Sequence, residues 1–180
     1  EGGEGPGQLA EDVDGVLGDT GLIALYNGRP LAPWAVYLDT DGTEPILLYG
    51  QTANHASGAV SVRTTDMEYQ EDALEASFSG TGSGQVLISG PGLDLQDYFA
   101  DGVLSFRVKL DQPSAGPISL QVGNAVLPLE EKLASLVGSG WQSISARLSC
   151  FAAESLELSN VQKPFRLHSE AQATVGFGDI

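Results

Sequence analysis

The chain has 180 residues, 42% of them hydrophobic, enough for one domain with a real core and too apolar for a disordered chain. Its 24 acidic and 8 basic residues give a net charge of −16, a surface that repels phosphate backbones and anionic membranes but does not penalise neutral ligands such as carbohydrates. No apolar run approaches the length of a membrane-spanning helix.

The first 18 residues, beginning EGGEGPGQLAEDVD, lack the basic and apolar regions of a signal peptide and read as a Gly/Glu linker, as in a piece of a longer protein. A single domain is expected over residues 19–180. From there, short alternating runs are separated by Gly, Pro, Asp and Ser, the pattern of an antiparallel all-β sandwich. The runs are LIALY (22–26), WAVYL (34–38), ILLYG (46–50), AVSVR (59–63), ALEASFS (73–79), QVLIS (85–89), VLSFRVKL (103–110), PISLQV (117–122), QSISARLS (142–149), PFRLH (164–168) and ATVGF (173–177). In the clearest of them Phe106, Val108 and Leu110 alternate with Ser105, Arg107 and Lys109, while Val103 falls out of register. GTGSG (80–84) has glycines at alternating positions but opens no helix, so it reads as a tight hairpin and not as a phosphate cradle. One helix is expected after Pro128, with Glu130 and Glu131 in its first turn, Leu129, Leu133, Leu136 and Val137 on one face, and Gly138 as its stop.

Chemistry-bearing residues are sparse. A single cysteine, Cys150, excludes an internal disulfide and a Cys-based zinc site, and its apolar flanks read as a buried structural thiol. His55 and His168 lack catalytic or metal spacing. The acids cluster at DMEYQED (66–72), open to four readings: a reaction centre, a metal site, a sugar-binding edge, or a solvated rim whose carboxylates accept backbone N–H bonds. Glycoside hydrolysis needs two carboxylates flanking one bond at about 5 to 10 Å. In a strand, the adjacent Glu71 and Asp72 point to opposite faces and cannot do this.

Sugar binding calls for flat aromatics facing solvent. Trp34 shares a face with Val36 and Leu38 and reads as core; Tyr37 lies on the opposite face. Trp141 has the parity of Ser143, Ser145 and Arg147, the polar face, and Tyr69 sits in the acidic loop. Phe78, Phe106, Phe151, Phe165 and Phe177 fit core positions.

The segments YQEDALEASFSGTGSGQVLISG, LDLQDYFADGVLSFRVKLDQPSAGPISLQVG and GWQSISARLSCFA, in this order and spacing, resemble the C-terminal galactose-binding-like domain of exo-acting glucan hydrolases and β-glucosidases of glycoside hydrolase family 3. Members often carry Trp where this chain has Phe78. The resemblance implies a jelly-roll sandwich with one short helix, appended to catalytic domains that hold the reacting carboxylates, and therefore non-catalytic alone. It implies those domains as partners, β-glucan as a contact, and a bacterial periplasmic or secreted setting. An autonomous carbohydrate-binding module and a structural or dimerisation domain are the alternatives. The expected ligand contacts are Tyr69, Glu71, Asp72, Trp141 and Tyr37. Sandwiches of this shape often hold a structural calcium, for which the closing Asp179 is the expected ligand; no cofactor is required.

Overall fold

A computed structural model describes residues 22–180. The linker expected at 1–18 lies outside the described residues. Among the described residues twelve strands form two antiparallel six-stranded sheets. Sheet I has the order β2-β1-β6-β11-β8-β9 and sheet II the order β10-β7-β12-β5-β4-β3. In chain order the strands are β1 (Ala35–Asp39), β2 (Ile46–Leu47), β3 (Thr52–Asn54), β4 (Val60–Thr65), β5 (Ala73–Phe78), β6 (Gly84–Ser89), β7 (Val103–Lys109), β8 (Ile118–Val122), β9 (Ala125–Pro128), β10 (Gln142–Arg147), β11 (Phe165–Ser169) and β12 (Ala173–Gly178). Among the described residues a single short α-helix, α1 (Glu130–Ala134), follows β9. No helix among the described residues is long and apolar enough to cross a membrane.

The two-residue period of the sequence becomes the two faces of each sheet. Val36 and Leu38 of β1, Val86 and Ile88 of β6, and Phe165 and Leu167 of β11 point inward from sheet I, each at most 1% exposed. Opposite them stand Leu74, Ala76, Phe106, Val108, Val175 and Phe177 of sheet II, all buried. At the centre Phe165 meets the edge of Phe106, with ring centroids 5.2 Å apart, and stacks on Phe177 at 5.7 Å. One sheet thus inserts an aromatic side chain between two from the other, the interdigitation expected of aligned sandwiches. Trp34 and Phe78 are buried as their parity requires, and Phe151 is buried as well.

Several local expectations are corrected. GTGSG does not close a hairpin. Both edges of β5 are already bonded, to β4 and β12, so the chain must leave sheet II; it enters the centre of sheet I as β6 between β1 and β11. Gly84 lies at the crossing, where an added Cβ would come within 3.0 Å of Val60 and 3.1 Å of the Phe78 ring. LIALY is not a strand; Leu25 and Tyr26 donate backbone N–H bonds to the Ile180 carbonyl, tying this stretch to the chain's last residue. Pro128 ends β9, where it pairs with Ser119, and does not begin the helix, which has only five residues. QSISARLS turns into a 3-10 segment at Leu148–Cys150, which leaves Cys150 exposed. The alternation that suggested burial ends before the thiol is reached. The short strands β3 and β9 have too few residues to show a period.

Truncating Phe165 removes the ring that both facing phenylalanines contact. Phe165→Ala should destabilise the domain by about 3–5 kcal/mol in urea unfolding, with far-UV circular dichroism of the surviving fold unchanged.

Candidate functional site

The acidic loop between β4 and β5 is built around Asp72. Its Oδ1 accepts the Met67 N–H at 2.6 Å, and its Oδ2 accepts those of Glu68 at 3.0 Å and Tyr69 at 2.8 Å. The Asp66 Oδ1 accepts the Glu71 N–H at 2.7 Å. Burial pushes the Asp72 carboxyl up, but the N–H donors of Tyr69, Met67 and Glu68 outweigh it and hold the group below its ordinary range. Of the four readings of DMEYQED, this bonding matches the carboxylate-to-backbone rim. Glu71 is not in a strand: it has a left-handed backbone, φ +56°, and accepts a 2.7 Å bond from the Gln51 amide. Tyr69 is 75% exposed. Asp72 and Asp179 both lie near the Tyr26 hydroxyl, whose pKa is pushed up to about 12 by burial and then by these two charges. Asp179 therefore has Asp72 for company, yet among the described residues no three His, Cys, Asp or Glu side chains gather where they could hold a metal ion.

The loop reaches across sheet II to Trp141. The Trp141 indole N–H donates to the Asp66 carbonyl at 3.2 Å, and Glu68 forms an ion pair with Arg107 of β7. The indole lies on Gly176 of β12, where an added Cβ would sit 2.8 Å from Trp141 Cη2. Register explains the placement: Glu75, Gly176 and Lys109 form one row across β5, β12 and β7, and Trp141 immediately precedes the β10 residue that pairs with Val108. A groove of about 430 Å³ opens here along the outer face of sheet II. Its floor is Gly176, one wall is Trp141, and Glu75, Lys109, Gln112, Gln172 and Thr174 supply polar atoms. Its volume falls in the range of small-ligand sites.

The outer face of sheet I is a second polar surface. Two rows cross it, Leu47–Tyr37–Leu87–Arg166–Gln121 and Asp39–Gln85–His168–Ser119. Arg166 donates to the Gln85 side-chain oxygen at 3.3 Å and the Gly123 carbonyl at 2.9 Å, and burial lowers its pKa against the opposing charge of Asp39. His168 is hydrogen-bonded to Ser83 at 2.7 Å. Of the five expected contact residues, Tyr69, Glu71, Asp72 and Trp141 thus gather at sheet II, whereas Tyr37 stands on the opposite side of the sandwich.

Over residues 32–180 the sequence matches a family model described as galactose-binding domain-like. The chain belongs to this Exop_C family. Solved structures agree on the fold. The chain is similar to the extra C-terminal domain (X) of the exo-1,3/1,4-β-glucanase ExoP from a Pseudoalteromonas species, with 16% identity, 87% of this chain and 88% of that chain covered, and a TM-score of 0.71. Against ExoP itself the identity is 15% and the TM-score 0.72, and the chain spans 19% of that enzyme's length. It is also similar to the family 30 carbohydrate-binding module of the cellulosomal cellulase Cel9D-Cel44B of Clostridium thermocellum, with 16% identity, 87% and 94% coverage and a TM-score of 0.59. No curated protein sequence gives a significant match.

Within this Exop_C domain, sequence reasoning missed Gly176, Gln112 and Gln172. Lone glycines and loop glutamines carry no periodic signal, and only the register between β5, β12 and β7 assembles them. His55 reads from the sequence as a polar loop residue, but it is buried, with Nδ1 accepting the Ser57 N–H at 3.2 Å and Nε2 3.1 Å from the Thr43 hydroxyl. It closes a loop and does not line the groove beside Trp141.

Gly176→Ala places a methyl group against the indole. It should cost about 1–3 kcal/mol in equilibrium unfolding and shift the Trp141 emission, as the ring is driven off the sheet.

Proposed function

We propose that this chain is a non-catalytic accessory domain of a family 3 β-glucan hydrolase, secreted or periplasmic, which docks on and stabilises the catalytic portion and holds β-glucan in the groove beside Trp141. The observation that carries this reading is the joining, in one groove, of an indole wall, a floor without side chains at Gly176, and the amide and hydroxyl groups of Gln112, Gln172 and Thr174. A pyranose has an apolar C–H face that suits an aromatic ring and a rim of hydroxyls that both donate and accept. The missing Cβ at Gly176 lets the indole lie against the sheet, where it serves as the apolar wall of the groove. The net charge of −16 favours a neutral polysaccharide over an anionic one.

Family membership and the likeness to domain X of ExoP, an enzyme whose name gives 1,3/1,4-β-glucan as substrate, support the same reading. Tyr69 is exposed on the loop that holds Trp141 but does not line the groove. Asp72, saturated by backbone donors, contributes through the loop and makes no direct sugar contact. Docking on the catalytic portion draws support from an apolar surface at the other end of β7 from the groove, where Leu22 and Val103 are more than half exposed beside Leu95 and Tyr98.

Affinity electrophoresis in soluble mixed-linkage β-glucan tests the glucan-binding part. The chain should be retarded, Trp141→Ala should weaken retardation at least about tenfold, and Tyr37→Ala should leave it unchanged. Retardation that survives Trp141→Ala and is lost in Tyr37→Ala would move the site to sheet I. No retardation of the unaltered chain would leave docking as its only role in this reading.

A further inference from the structure

Trp141 precedes β10, and an indole in that position has many rotamers open to it. In this fold it is held by two contacts, the surface of Gly176 and the carbonyl of Asp66. The second contact exists only while residues 66–69 keep their shape. That shape is set by Asp72, six residues further on, whose carboxylate collects the N–H groups of Met67, Glu68 and Tyr69. These donors would otherwise be turned toward solvent, and the segment would be free to rotate the Asp66 carbonyl away from the indole. The Glu68–Arg107 ion pair anchors the same loop on β7 but acts on a side chain and leaves the peptide planes unset.

We infer that Asp72 is the positioning residue of the Trp141 groove: it folds the loop that presents the Asp66 carbonyl to the indole N–H, and so fixes the ring that walls the binding surface. The inference deepens the glucan-binding reading and rests on it for its functional consequence, although the link between Asp72 and Trp141 stands on hydrogen bonds alone. The acidic loop then has a purpose that its composition hides. It is a brace for an aromatic side chain at the entrance of β10, 69 positions away in the sequence.

The charge of Asp72 matters to this brace, because a protonated carboxyl keeps acceptor capacity but loses the charge-assisted strength of three bonds. The titratable and charged groups around it are the Tyr26 hydroxyl, Asp179, and the loop's own Asp66, Glu68 and Glu71, with Arg107 paired to Glu68. Its carboxyl lies below the ordinary range, so the brace is present above that range and is released as pH falls through the depressed value.

The experiment is a double-mutant cycle of Asp72→Asn and Trp141→Phe, read by β-glucan affinity and by the indole N–H resonance of Trp141. Phenylalanine keeps a ring against the sugar but has no N–H to give to Asp66. Asp72→Asn alone should weaken binding about tenfold, the scale of losing charge-assisted bonds, and move the Trp141 indole resonance. In the Trp141→Phe background the same substitution should change affinity less than about twofold. Equal losses in both backgrounds, or an indole resonance unmoved by Asp72→Asn, would overturn the inference. If Asp72→Asn fails to fold, the unaltered chain is titrated with acid: the indole resonance should move together with the Asp72 carboxyl resonance, and independent titration would overturn it. Absence of glucan binding by the unaltered chain removes the groove's function, and the indole measurements still decide the link.

Discussion

The structure depends on two sheets pressing their apolar faces together, with Phe165 of one seated between Phe106 and Phe177 of the other. This contact fixes which side chains point inward, and by strict alternation which point out. Once Phe177 and Val175 are inward, Gly176 must lie on the outer face; once Val108 is inward, so must Lys109. A one-residue slip of β12 would replace the glycine floor by phenylalanine and erase the groove. The polar surfaces are therefore consequences of the core, and their residues hold position because β7 cannot slide without burying Arg107 and Lys109, nor β12 without exposing Val175 and Phe177.

On this frame the outer surface of sheet II departs from a plain solvated face at one place. Gly176 gives up its side chain, the indole of Trp141 takes the vacated space, and the 66–72 loop folds over to hold the ring. Each step removes something a strand ordinarily keeps: a Cβ, a free rotamer, a solvated carboxylate. Asp72 shows how the electrostatics close. A carboxylate that gathers three backbone donors sits lower in free energy charged than protonated, despite its partial burial, which makes it a structural anion rather than an acid for chemistry.

The fold was largely readable because burial writes itself as a period of two: β4, β7, β8 and β12 all appear where Val62, Phe106, Leu120 and Val175 alternate with polar or small neighbours. What periodicity does not encode was lost. Whether two consecutive strands share a sheet depends on which edges are free, so the Gly-rich link before β6 passed for a hairpin. The end of β10 is set by a 3-10 turn, and with it went the burial of Cys150. Of the site, the parity of Trp141 was legible, as was the concentration of acids. Their relationship was not, since a bond from an indole to the Asp66 carbonyl leaves no mark on the order of residues. Tyr37 had an equally good pattern and stands on the other sheet, beside Arg166 and Gln85, which no alternation flags as special.

The most direct test of the account is backbone and indole chemical-shift mapping of the labelled chain during titration with a soluble mixed-linkage β-glucan oligosaccharide. The account predicts perturbations confined to Thr174, Gly176, Gln112, Gln172 and the Trp141 indole, with Tyr37, Arg166 and His168 silent. Shifts centred on Tyr37 and Arg166, or a spectrum that does not change at millimolar ligand, would contradict it.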